Sequence, residues 1–305
     1  GSLARPLLAA AVADAGGLGM VSVYGAPPDQ IANQLDEAKR LTRGVFGANF
    51  ILYFVDPEQA RECVAAAAER VRVVDFFYTE PDPRLVEVVH RHGALACWQV
   101  GSVAEARAAA DAGCDFIIAQ GIEAGGHVRG RIGLFPLLDA VLDAVGVPVL
   151  AAGGIGSGRA MAAALAAGAA GVRVGTRFVA AEEAAAHPAY VQALIAARPE
   201  ETVYTEAFST NWPNAPHRVL RSCVAAAAAC ESEIVGERRR QSGAREPIRR
   251  FDCLAIDRNT TGTISGDAPL GGRVGRWGNA RPAGGRDRDR TGRGGRAAPP
   301  VLGSP

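Results

Sequence analysis

The sequence predicts an α/β protein of the TIM-type (β/α)8 barrel class, and three observations carry that prediction. Short runs that are apolar on both faces recur between residues 20 and 174. Helical patterns separate them, which is how a parallel sheet with helices outside it reads. Glycine-rich loops follow the last two runs, where barrels of this kind commonly bind phosphate.

The elements follow in order. Residues 4–17 read as an alanine-rich amphipathic helix closed by Gly16 and Gly17. Strand-like runs come at 20–23, 45–52, 73–78, 94–100, 116–119, 147–152 and 171–174. Several of the intervening helices open on Pro or on a capping residue: Pro27-Pro28, Asp56-Pro57, Asp82-Pro83, Ser102 and Ser157. A closed barrel needs eight strands and these runs supply seven, so they are expected to be the second to the eighth, with the first missing before Gly1. Residues 1–180 are thus expected to form the barrel, and 181–268 a helical cap that includes the rigid loop from Trp212 to Pro216 and borders the substrate. From 269 to 305 the composition turns to Gly, Arg and Pro without apolar periodicity, which reads as a disordered tail.

Bulk composition narrows the function classes. With 48% apolar residues and a net charge of +1 there is ample core material and no electrostatic reason to expect nucleic acid. No run approaches the roughly eighteen apolar residues of a membrane span, and no leader is visible, so a cytoplasmic protein is expected. The six cysteines show no C-x-x-C pair and no metal-ligand spacing, which predicts free thiols and no metal site.

Two loops carry the chemistry. Residues 151–158, Ala-Ala-Gly-Gly-Ile-Gly-Ser-Gly, follow the seventh strand and open a helix, while Val174-Gly175-Thr176 ends the eighth. Bare backbone N–H groups and a helix N-terminus would converge there on an anion. The sixth strand runs into Gln120-Gly121-Ile122-Glu123-Ala124-Gly125-Gly126-His127, which places a histidine at the C-terminal rim beside that phosphate site. An imidazole titrates near neutrality and is a candidate general base. Other histidines read as structural: His90 and His92 near a helix end, and His187 before Pro188 with no partner in view. His217 follows the Trp212 loop and is a weaker candidate for substrate contact, while Phe77, Tyr78 and Trp98 read as core.

Taken in order, Gln-Gly-x-Glu-Ala-Gly-Gly-His, Ala-Ala-Gly-Gly-Ile and Val-Gly-Thr-Arg-Phe resemble the motif series of the nitronate monooxygenase (2-nitropropane dioxygenase) family, and Phe46-Gly47-Ala48-Asn49 is similar to its upstream Phe-Gly-x-Asn. The likeness runs to about residue 268. It implies FMN as cofactor, contacted by Asn49, Gln120, Gly125 and Gly154, with Arg173, Val174, Gly175 and Thr176 lining the phosphate. It implies His127 as the catalytic base, acting on a nitroalkane or hydrogen-bonding near its nitronate, with O2 as oxidant and a carbonyl compound and nitrite as products. An NAD(P)H:quinone reductase and an enoyl-acyl-carrier-protein reductase share the scaffold and stand as alternatives, as does an inactive truncated remnant. The resemblance also bears on the tail. Asn259-Thr260-Thr261-Gly262 still looks like the family. Reading each codon from Pro269 one base later permits the family-like ending LWAGESVGGVTRVQPAAEIVTEL, so residues 269–305 are expected to be the product of a one-base insertion.

Overall fold

The computed structural model describes residues 3–23, 25–239 and 243–262. Its first part alternates helices and strands: α1 (Pro6–Asp14), β1 (Gly19–Ser22), α2 (Pro28–Leu41), β2 (Phe46–Ile51), α3 (Ala60–Ala68), β3 (Val73–Phe77), α4 (Pro83–Arg91), β4 (Leu95–Val100), α5 (Val103–Asp111) and β5 (Phe116–Gln120). The short β6 (Gly126–His127) precedes α6 (Leu134–Leu142), β7 (Val149–Ala152), α7 (Gly158–Ala166) and β8 (Gly171–Arg173). The seven long runs predicted from the sequence are β1 to β5, β7 and β8, and they pair in parallel in that order as one seven-stranded sheet. This is the TIM-type succession, with β1 and β8 at the sheet edges.

The strands form because their residues are apolar on both faces and helices cover the outside. Every residue of β2 and of β3 is buried. Phe50, Phe76, Trp98 and Ile117 from successive strands share one core with Ile31 and Leu35 of α2 and with Leu137 and Leu138 of α6. The amphipathic α2 presents Ile31, Leu35 and Ala38 to it, four and three residues apart. Three expected caps are in place: Asp82, Ser102 and Ser157 accept from Arg84 N, Glu105 N and Ala160 N.

Beyond β8 the helical cap that was expected holds strands as well as helices. It holds α8 (Pro188–Ala196), β9 (Thr202–Thr205), β10 (His217–Leu220), α9 (Arg221–Ala229), β11 (Ile234–Arg239), β12 (Arg245–Arg249) and β13 (Thr260–Gly262). Strands β6, β10 and β9 make one antiparallel sheet, and β12, β11 and β13 another. The second sheet escapes a hydrophobicity reading because β11 and β12 are Arg- and Glu-rich and mostly accessible. The proposed tail and frame shift over 269–305 lie outside the described residues. Among the described residues no helix is long and apolar enough to cross a membrane, and all six cysteines are free thiols.

Candidate active site

Gln120, the last residue of β5, fixes the shape of the loop that follows. Its buried amide donates from Nε2 to His127 O at 2.9 Å and accepts from Arg129 N at Oε1, at 3.0 Å. Glu123, midway along, accepts from Leu134 N at 3.0 Å and so ties the loop to the first turn of α6. The loop then enters β6, whose pairing with β10 sets His127 opposite His217.

Around the His127 ring the structure assembles an aromatic box. Trp212 stacks on it with centroids 3.8 Å apart, and Tyr78 presents its ring edge-on at 5.7 Å. Tyr53 in turn stacks on Trp212 at 5.3 Å. Cys253 Sγ lies 3.3 Å from His127 Nε2. Burial, and next the nearby His217, push the His127 pKa down to about 3, so the imidazole is neutral at ordinary pH. Burial pushes the Cys253 thiol up to about 12, with Asp252 adding to the effect. Tyr78, read from sequence as core, is buried but belongs to this site, and it adopts φ 71°, a costly conformation for a bulky side chain.

His217 is fully buried, and its ring pairs with the backbone at both nitrogens. Nδ1 donates to Ala215 O at 3.0 Å, and Nε2 accepts from Phe208 N at 3.4 Å. With no exposed surface, it packs beside the His127 ring, centroids 5.6 Å apart. Trp98 and Phe77 are core as expected, Trp98 donating from Nε1 to Thr79 O at 3.1 Å. His90 Nε2 lies 2.9 Å from Asp115 at the surface. His187 does have a partner, because it caps α8 by accepting from Ala189 N at 3.2 Å.

The glycine loop after β7 lies against the loop that carries His127. Gly153 and Gly154 both take positive φ, 109° and 67°. A Cβ on Gly153 would stand 3.0 Å from Gly121 O, and one on Gly154 would stand 3.1 Å from Glu123 Cβ, so the loop after β7 packs directly on the loop that carries His127. Gly156, Gly158 and Gly175 front open space, the last of them leading into a short 3-10 turn at Thr176. Val174 packs on the core. Arg173 sends its guanidinium to Asp75, a carboxylate with no exposed surface, to which Asn49 Nδ2 also donates at 2.5 Å. Asp75 was not singled out from sequence, although a lone acid inside the apolar run 73–78 is a signal that it must be paired.

The family model for nitronate monooxygenase matches residues 1–241. The chain belongs to the nitronate monooxygenase family. Among curated relatives, (3aS,4S,5R,7aS)-5-hydroxy-7a-methyl-1-oxo-octahydro-1H-indene-4-carboxyl-CoA dehydrogenase of Mycobacterium tuberculosis is 37% identical over 73% of this chain and 61% of that one, so this chain spans about three fifths of that relative's length. Two solved structures share the fold: FabK from Thermotoga maritima, with 39% identity, TM-score 0.65 and coverage of 72% of this chain and 68% of that one, and nitroalkane oxidase from Streptomyces ansochromogenes, with 32% identity, TM-score 0.65 and coverage of 72% and 74%. The family is one of flavin-dependent oxidoreductases. At Gly156, Gly158 and Gly175 no atom lies within 4 Å of where a Cβ would stand, and Gly158 opens α7, so the bare backbone at these positions is open to an anion such as a flavin phosphate.

Proposed function

We propose that this nitronate monooxygenase family member binds FMN and oxidises a nitronate with O2 to a carbonyl compound and nitrite. The observation that supports the reading is the direct packing of the Gly153-Gly154 loop on the loop that carries the neutral His127 imidazole. The FMN phosphate would rest on backbone N–H groups of Gly154 and of residues 173–176, with Asn49, Gln120 and Gly125 along the remainder. Arg173 contributes through its backbone, because its guanidinium is held by Asp75. When bound, the flavin supplies the electron acceptor for the substrate carbon. The Tyr78, Trp212 and Tyr53 rings exclude water, and His127 offers an uncharged hydrogen bond at the reacting end. An imidazole with so low a pKa is a weak base, so the preformed nitronate is favoured over the neutral nitroalkane.

A second reading, catalysis next to an acyl thioester, is favoured by the name of the M. tuberculosis relative, a carboxyl-CoA dehydrogenase. One set of assays separates the two. Nitrite release and O2 uptake with propionate-3-nitronate are expected without pyridine nucleotide. Anaerobic flavin reduction by NADH or NADPH, followed by turnover of an acyl-CoA and no nitrite from the nitronate, would establish the second reading instead. Denaturation is expected to release FMN, and release of FAD would contradict the single-phosphate cradle.

A further inference from the structure

Three independent contacts fix the ring of His127. Its backbone is locked opposite His217 by the pairing of β6 with β10. Its plane is set by Trp212, itself stacked on Tyr53. Its Nε2 is met by Cys253 Sγ at 3.3 Å. The two loops that deliver Trp212 and Cys253 are stitched together: Cys253 N donates to Asn211 Oδ1 at 3.0 Å, and Thr210 donates to Phe251 O from N at 3.3 Å and from Oγ1 at 3.0 Å. Nδ1 takes no hydrogen-bond partner among the described residues.

We propose that Cys253 and Trp212 are positioning residues which hold His127 as the Nδ1–H tautomer, leaving Nδ1–H as the edge that donates to the anionic oxygen of the substrate. The inference rests on the nitronate reading above. Hydrogen-bond chemistry sets the direction at Nε2. A thiol donates weakly and accepts more weakly, whereas an unprotonated imidazole nitrogen is a good acceptor, so the S–H donates to Nε2 and the proton of the neutral ring resides on Nδ1. Burial keeps both partners neutral and favours this arrangement over a thiolate beside an imidazolium. With Nε2 occupied, the ring is arranged as a donor to charge already present on the substrate.

The test is a ring proton–nitrogen correlation spectrum of the full chain with labelled histidine. The signals of His127 are picked out from the five histidines by their loss in His127→Gln. The expected result is a protonated Nδ1 and an unprotonated Nε2. Cys253→Ser, which keeps a donor, should preserve that pattern, whereas Cys253→Ala should shift the tautomer ratio toward Nε2–H by about fivefold, the effect of one net hydrogen bond. A protonated Nε2 in the parent protein, or an unchanged ratio in Cys253→Ala, would overturn the proposal. The spectrum needs no substrate, so its outcome is independent of whether the enzyme turns over nitronates.

Discussion

Asp75 lies in the middle of β3 with no exposed surface, and Asn49, Arg173 and Cys97 all turn toward it. Removing one member of a buried ion pair leaves the other without its counter-charge, at a cost of about 3–5 kcal/mol. Asp75→Ala is therefore expected to lower the urea midpoint by that order with an unchanged slope, and a loss below about 1 kcal/mol would show that Arg173 finds water instead. His127 makes a second prediction, on pH. Its folded pKa lies near 3, below the unfolded value near 6.5, so the unfolded chain takes up the proton first. The stability that comes from keeping it neutral is whole above about pH 6.5 and is lost as pH falls toward 3. His127→Gln, which cannot ionise, should lose less stability than the parent between about pH 7.5 and about pH 5 in urea titrations. On activity, His127→Ala should lower nitronate turnover ~10²–10³-fold, the usual effect of losing a donor to developing or resident anionic charge. His127 could be found from sequence because its glycine motif marks it, whereas the roles of Cys253 and His217 depend on contacts across 126 and 90 positions of chain and leave no local trace.

At the level of elements, legibility followed burial. Strands β2 to β5 lie under helices and read as apolar runs with at most one polar side chain each, so their positions were predicted to within a residue or two. Strands β9, β11 and β12 are partly exposed, and β12 even carries Pro247, so neither period nor composition marks them. The loop after β7 was legible because its glycines have a backbone reason to be there. Gly154→Ala places a Cβ at φ 67° and 3.1 Å from Glu123 Cβ, pressing the loop proposed to hold the phosphate away from the His127 loop. The expected result is FMN affinity weakened by at least about tenfold, against a cost in stability of only about 1–2 kcal/mol. Equilibrium dialysis against FMN beside a melting curve checks this, and FMN affinity within twofold of the parent would refute it.

Across the whole molecule, the two ends of the described chain are joined at Asp257. Its nearly sealed carboxylate accepts from Arg5 Nη2 at 2.8 Å, from Asn259 N at 3.0 Å and from Thr260 Oγ1 at 3.2 Å, with Arg238 Nε at 3.9 Å. Beside it, Ala186 bridges to Asp257 and His187 N donates to Ile256 O at 3.1 Å. Leu8 of α1 packs into the same cluster as Tyr190 of α8, Leu220 of β10 and Ile256 of the segment before β13, so the first helix shares with these later elements one core distinct from that of the barrel. Four residues before Asp257 stands Cys253, against His127. Anchoring at Asp257 thus holds from a distance the segment that sets Cys253 against the His127 ring. Asp257→Ala removes the acceptor from several donors at once and leaves the Arg5 and Arg238 charges without it, so the segment 250–262 should loosen before the barrel does. Limited proteolysis with mass mapping is expected to show early cleavage in 230–262 while 28–180 stays intact, together with a change in Trp212 fluorescence as its stacking relaxes. Uniform cleavage of barrel and C-terminal strands at parent rates would mean that the shared apolar core, and not the carboxylate, holds the two ends together.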